Sequence, residues 1–264
     1  MYRRKLLAFI SMAIASLLLA VALPFVSFTP VAAQSNTTLL VSAAASLKDV
    51  LEEIKPIYQQ TQKNIKINFN FGSSGALLQQ IQQGAPVDIF ISAAKKQMDT
   101  LEQTGQLIAA TRSNIAKNRL VLVVPQKVVG VTSLYNLKDS KIKKIAIGEP
   151  RTVPAGQYAE QVLKKLRIYE QVKSKFVYAN NVRQVLAMVG SGNADAGLVY
   201  TTDAKISRNV KVVVAADEKY HSPIVYPIAV LKKSKNVEVA RNFAQYLTSE
   251  PAQAVLRKYG FLMP

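Results

Sequence analysis

LLVSAAASLKDVLEEIKPIYQQ (39–60) reads as a strand end, a loop of small residues and a helix. Thr38–Val41 is apolar and β-prone, whereas Leu47, Val50, Leu51, Ile54 and Ile57 recur at helical spacing between Ser46 and Gln60. The unit repeats down the chain. Ile65–Phe71 alternates as a strand, and the helix that follows over Ser74–Gln83 stops at Gly84. Val87–Ser92 reads as a buried strand, followed by a helix around Lys95–Thr104. Further strands are predicted at 120–124, 145–147, 196–199, 210–214 and 228–231, and further helices at 158–166, 182–189, 237–248 and 251–259. Strands alternating with helices predict an α/β fold with mostly parallel sheets.

Four strand-to-helix junctions are alike: SAAASLKDV (42–50), FGSSGALLQQI (71–81), GEPRTVPAGQYAEQV (148–162) and ANNVRQVLAMV (179–189). Each places small or polar residues where a helix begins. Ser46 and Ser74 are 28 residues apart, and Ala155 and Val182 are 27 apart, about one βαβ unit in each case. Two pairs of such turns suggest two lobes facing across a cleft; capped helices in any α/β protein are the competing explanation. The first N–H groups of a helix lack partners and carry partial positive charge, so they attract anions. Ser46 and Ser74 either add hydroxyl donors or cap their own helices. Pro154 has no N–H, so Ala155 supplies the next donor at a turn that Gly156 leaves unobstructed. Neither GxGxxG nor GxxxxGK[ST] occurs in these loops, so the ligand implied is a small anion rather than a nucleotide.

Composition removes much else. The 264 residues contain no cysteine, no tryptophan and only one histidine, His221. Disulfides, thiol chemistry, Cys- or His-rich metal sites and Trp cages are therefore excluded. The chain opens MYRRKLLAFISMAIASLLLAVALPFVSFTPVAAQSN, with a basic start, no charge over 6–28, and small residues ending at Ala33. This predicts a signal peptide over residues 1–33, cleaved after Ala33, and a periplasmic protein; an uncleaved anchor is the alternative. The formal net charge of +18 falls to +15 without that segment. In an exported protein with no nucleic-acid-binding signature, the excess reads as solvated lysine surface, as in KIKK (141–144), and no nucleic-acid partner is expected.

The mature chain resembles the periplasmic molybdate-binding proteins, the substrate-binding components of ABC-type molybdate transporters. The likeness rests on AAASL (43–47), the FGSSG turn, GAPVDIFISA (84–93), VPAGQYA (153–159), NVRQVLAMV (181–189), AGLVYTTDA (196–204), YPIAV (226–230) and KYGF (258–261), in the family's order. It implies a two-lobed periplasmic-binding-protein fold of the type II kind. The ligand cleft would lie between a first lobe of residues 34–118 and 223–264 and a second of 119–222. Crossings are expected near Asn118–Val123 and Pro223–Ala229. It further implies that Ser46, Ser74, Ala155 and Val182 bind a molybdate or tungstate dianion through backbone N–H groups, the two serines also through hydroxyls, and Tyr200 through its phenol. Molybdenum would thus be held as the oxyanion, with no cofactor, and the partners would be permease and ATPase subunits; a monomer is expected. Gly75 and Ala76 depart from the more hydroxyl-rich stretch the family carries after that serine.

Two other classes compete: a receptor for sulfate, thiosulfate or phosphate on the same fold, and an exported hydrolase. The hydrolase lacks paired carboxylates, GxSxG and a metal-ligand cluster. Tyr178, Tyr220 and Tyr226 lack the partners that ferric iron would need. Arg183 reads as a surface residue, Asp88 as a structural partner of nearby backbone, and His221 as a loop histidine.

Overall fold

The computed structural model describes residues 36–264; the expected signal peptide over 1–33 lies outside them. In chain order the first part holds β1 (Thr37–Ala44), α1 (Lys48–Thr61), β2 (Ile65–Gly72), α2 (Ser74–Gln82), β3 (Ile89–Ile91), α3 (Lys95–Gln103) and β4 (Ser113–Lys117). The middle part holds β5 (Leu120–Pro125), β6 (Ile145–Gly148), α4 (Pro154–Lys165), α5 (Tyr169–Val172), β7 (Phe176–Ala179), α6 (Val182–Gly190), β8 (Ala196–Tyr200), α7 (Thr201–Lys205) and β9 (Val210–Ala215). The chain ends with β10 (Val225–Val230), α8 (Val237–Tyr246) and α9 (Glu250–Tyr259).

These strands form two five-stranded mixed sheets, ordered β2-β1-β3-β10-β4 and β7-β6-β8-β5-β9. β1 pairs in parallel with β2 and β3, and β6 with β7 and β8, whereas β10 and β5 run antiparallel to their neighbours. This is the expected two-lobed α/β architecture, each lobe being one sheet with its helices. The sheets are evenly mixed rather than mostly parallel, because β10 and β5 enter their sheets from the passages between lobes and run against their neighbours. A parallel pair requires a crossover, and the helix supplying it starts at the C-terminal edge of the strand before it. The helices after β1, β2, β6 and β7 therefore all begin at such an edge.

The step between lobes is shorter than the sequence suggests. Only Asn118 and Arg119 separate β4 from β5, so Leu120–Val123, expected in the crossing, pairs within the second sheet. The return passage spans Ala216–Ile224, and Val225–Val230 already belongs to the first sheet. β4 is absent from the sequence reading because SNIAK carries neither an apolar run nor clean alternation.

Burial of apolar surface holds each lobe together. Leu39, Val41 and Ala43 of β1 are fully buried under the stripe of Val50, Leu51 and Ile54 on α1. In the second lobe Ile145 and Ile147 of β6 pack in a core with Ala159, Val162 and Leu163 of α4 and Val185 and Val189 of α6. α4 sits unusually close to the strand it follows. A β-carbon on Gly156 would lie 1.9 Å from the carbonyl oxygen of Gly148, an atom of backbone that cannot swing aside. That approach sets the first turn of α4 directly on the end of β6. Gly156→Ala is expected to destabilise the fold by about 1–3 kcal/mol, the usual cost of overpacking, seen as a lower Tm in thermal unfolding.

Candidate functional site

Between the two sheets lies a small cavity of about 10 Å³, roughly the room that one water-sized group takes by the same measure. Its wall includes Ser46, Ser74, Ala155, Val182 and Tyr200, all at most 4% exposed. The structure thus brings all five positions singled out in the sequence to one place, two from the first lobe and three from the second. Apart from Asn181, the rest of the wall is small or apolar, such as Ala44, Ala45, Gly72 and Val153, and no acidic or basic residue lines it.

Each turn contributes for a reason visible in its local structure. α2 starts at Ser74, α4 at Pro154 with Ala155 next, and α6 at Val182. First-turn N–H groups have no carbonyl a turn earlier to bond. Gly75 N–H instead bonds Thr152 O at 2.8 Å, Gly156 N–H bonds Val153 O at 2.9 Å, and Gln184 N–H bonds the Asn181 side chain at 3.0 Å. The N–H groups of Ser74, Ala155 and Val182 have no partner among the hydrogen bonds of the described residues. Ser46 lies in a short 3-10 turn, Ala45–Leu47, that leads into α1.

Neither serine caps its own helix. The N-cap of α2 is Ser73 and that of the 3-10 turn is Ala44, both without a side-chain cap bond. Ser74 Oγ accepts from the Ala93 N–H at 2.9 Å, and Ser46 Oγ lies 3.0 Å from the Tyr226 hydroxyl. A serine oxygen that already accepts keeps its proton for another acceptor. The Tyr200 hydroxyl is buried and has no hydrogen-bond partner among the described residues. Burial foremost, with Tyr226, Tyr158 and Asp203 adding to it, raises its pKa well above the ordinary tyrosine value, so the phenol keeps its proton and remains a donor. The cavity therefore offers N–H and O–H donors and no fixed charge, a surface suited to an anion that arrives fully deprotonated.

Charge stands just behind this wall. Arg183 is not the surface residue the sequence suggests: its side chain is 22% exposed and bridges the lobes. Nη2 lies 2.6 Å from Asp49 Oδ2 on α1 and donates to the Ser46 carbonyl at 3.2 Å, while Nε lies 2.6 Å from Asp203 Oδ1 on α7. Asp203 is fully buried; desolvation pushes its pKa up to about 6, against the pull of Arg183 and of the Tyr200 N–H that its carboxylate accepts at 3.2 Å. Arg183 is thus matched by two carboxylates and adds no net positive charge to the cavity.

Sequence reasoning passed over Tyr226 and Asn118. Tyr226 sits in an otherwise apolar strand, VYPIAV, and a phenol fully buried there must find a polar partner; that mismatch was the available signal. Asn118, in the two-residue passage, carried none. Asp88 is structural, accepting from Leu40 N–H at 2.8 Å and the Ser234 hydroxyl at 2.6 Å. His221 is in a loop but 9% exposed, its ring edge against Tyr158 at 5.7 Å.

Comparison with known proteins places this architecture. The family model for bacterial extracellular solute-binding proteins matches residues 39–262. The chain belongs to that family. It is a solute-binding protein rather than an enzyme, and its cavity is a place for a ligand, not a cofactor. It is 45% identical to the Bacillus subtilis protein named "Putative ABC transporter substrate-binding lipoprotein YvgL", over 86% of this chain and 87% of the relative. It is 38% identical to the molybdate-binding protein ModA of Haemophilus influenzae, over 86% and 91%. Among solved structures, the periplasmic molybdate-binding protein of Azotobacter vinelandii superposes with a TM-score of 0.77 at 26% identity, covering 86% of this chain and 99% of that one.

The lobes of this solute-binding protein touch beside the cavity. Gly75 N–H donates across the cleft to Thr152 O, and a β-carbon on Gly75 would lie 2.6 Å from both Cα and O of Thr152. At this contact the chain sets backbone against backbone. Gly75→Ala is expected to obstruct only the approach of the lobes. Solute affinity should fall at least about tenfold, roughly 1.4 kcal/mol, in titration calorimetry, while the Tm of the ligand-free protein stays near the parent's.

Proposed function

We propose that the protein binds molybdate, and tungstate with it, in this cavity outside the cytoplasmic membrane and delivers it to the permease of an ABC transporter driven by its ATPase. Residues 34–118 with 223–264 act as one lobe and 119–222 as the other. Ser46, Ser74, Ala155 and Val182 contribute backbone N–H groups, Ser46 and Ser74 also their hydroxyls, and Tyr200 its phenol. The observation that carries the reading is the wall itself: buried donors from both lobes, no acceptor carboxylate and no cation. The relatives named as molybdate-binding support it.

The chemistry is consistent with a dianion. Burying a fixed positive charge beside the ligand would add its desolvation cost at each closure. Neutral N–H and O–H groups donating to an anion form charge-assisted bonds without that cost. A monoprotonated oxyanion such as hydrogen phosphate needs an acceptor for its own proton, and no carboxylate lines the wall. Sulfate has the same charge but shorter bonds to oxygen, so a cage sized for molybdate leaves some donors badly paired around it.

In titration calorimetry of the purified protein, molybdate and tungstate are expected to bind at least about a hundredfold more tightly than sulfate, a gap of about 2.7 kcal/mol. Equal affinity for sulfate would replace the molybdate reading with a general sulfate-type receptor.

The phenol gives a residue-level test. Tyr200→Phe removes one hydroxyl that bonds nothing else, so it should melt near the parent without ligand. It should lose at least about fivefold in molybdate affinity, by the worth of a hydrogen bond to a charged group. The ligand-induced rise in Tm should shrink in step, because that rise reports occupancy.

A further inference from the structure

Ser46 is the one proposed ligand whose hydroxyl is tied to the passages between the lobes. Asn118 fills the first passage, and its orientation is fixed by a bond from the Arg119 N–H to its Oδ1 at 2.9 Å. With the carbonyl oxygen so assigned, Nδ2 must donate. It has two hydrogens and two partners, Thr202 Oγ1 at 2.9 Å and the Tyr226 hydroxyl at 3.2 Å. Tyr226 stands at the start of β10, just after the second passage. Its oxygen accepts from Asn118, so its own proton is free for the other neighbour at bonding distance, Ser46 Oγ at 3.0 Å. Burial above all raises the Tyr226 pKa, which keeps that proton in place. Ser46 Oγ, having accepted, has its proton left for the cavity.

The chain closes on itself. Thr202 is followed by Asp203, which holds Arg183, and Arg183 donates to the Ser46 carbonyl. Ser46 is thus gripped at its side chain from the first lobe and at its backbone from the second.

We propose that Tyr226, oriented by Asn118, is a positioning residue: it accepts from Asn118, donates to Ser46, and thereby fixes the Ser46 hydroxyl as a donor to the bound oxyanion. This rests on the oxyanion reading of the cavity. Tyr226 does not itself line the cavity; its hydroxyl reaches the cavity through Ser46, while its ring, which Tyr226→Phe keeps, packs edge-on to Tyr200 at 6.0 Å.

A double-mutant cycle reads that dependence. Molybdate affinity is measured calorimetrically for the parent, Ser46→Ala, Tyr226→Phe and the double variant. Tyr226→Phe is expected to weaken binding about fivefold in the parent background, the range of one neutral hydrogen bond. With Ser46→Ala already in place, it should change affinity by less than about twofold, since nothing remains for it to orient. The same fivefold loss in both backgrounds would assign Tyr226 a general structural role and overturn the proposal, as would parent-like binding by Tyr226→Phe alone. If Tyr226→Phe does not fold, Asn118→Ala enters the same cycle, because it removes the donor that turns the Tyr226 hydroxyl toward Ser46. A parent protein that gives no binding heat with molybdate, tungstate or sulfate overturns the oxyanion reading and the proposal together. A parent that binds but yields an additive cycle overturns the proposal alone.

Discussion

An anion taken out of water must find its hydrogen bonds inside the protein, and the groups that supply them must not already be committed to other partners. Helix starts meet both demands, because their first N–H groups lack partners by geometry rather than by any broken bond. A parallel sheet places such starts along a single edge, one after each strand. Here β1 and β2 supply two in the first lobe, and β6 and β7 two in the second. Setting two such edges face to face makes the cavity a direct consequence of topology, with no residue required beyond small side chains that let the backbone approach.

Most of the chain's charge takes no part in this arrangement. The lysines that make the protein basic lie outside the cavity wall, KIKK (141–144) with three exposed lysines among them. Arg183 stands directly behind the wall, and it is offset by Asp49 and Asp203. Its effect is mechanical: it joins α6 to α1 across the cleft while the wall facing the ligand stays neutral. The desolvation that pushes Asp203 up to about 6 is the cost of that placement, and it leaves the carboxylate ionised at neutral pH, where Arg183 needs a counter-charge.

The fold could be read from the sequence because it is local: a strand, a small-residue turn and an amphipathic helix occupy consecutive residues. The four helix starts were legible in the same way, whereas the choice of five positions, with Tyr200 at the end of β8 among them, came from the family resemblance. What could not be read depends on residues far apart in the chain. Tyr226 meets Ser46 across 180 residues and Asn118 across 108; the phenol in VYPIAV signals only that some polar partner is needed, not which one, and nothing in the short passage between β4 and β5 announces Asn118. Arg183 was misjudged for the same reason, since exposure at a first helical turn depends on what the other lobe brings against it. Whether the two serines cap their own helices also needed coordinates: Ser46 and Ser74 each bond outside their own helix, to Tyr226 and to Ala93.

Dividing the donors between lobes gives the protein a way to measure its ligand. On the proposed oxyanion reading, a tetrahedral ion would have to satisfy both sets at the lobe spacing at which Gly75 meets Thr152. That contact is backbone on backbone, with no side chain to compress, so the lobes cannot close further around a smaller ion. Such an ion leaves donors on one side stretched or unpaired, and unpaired buried donors are costly. On that reading the backbone contact and the donor cage would act together, and selection by size would follow from the rigidity of the contact beside the cavity as much as from the groups that touch the ligand.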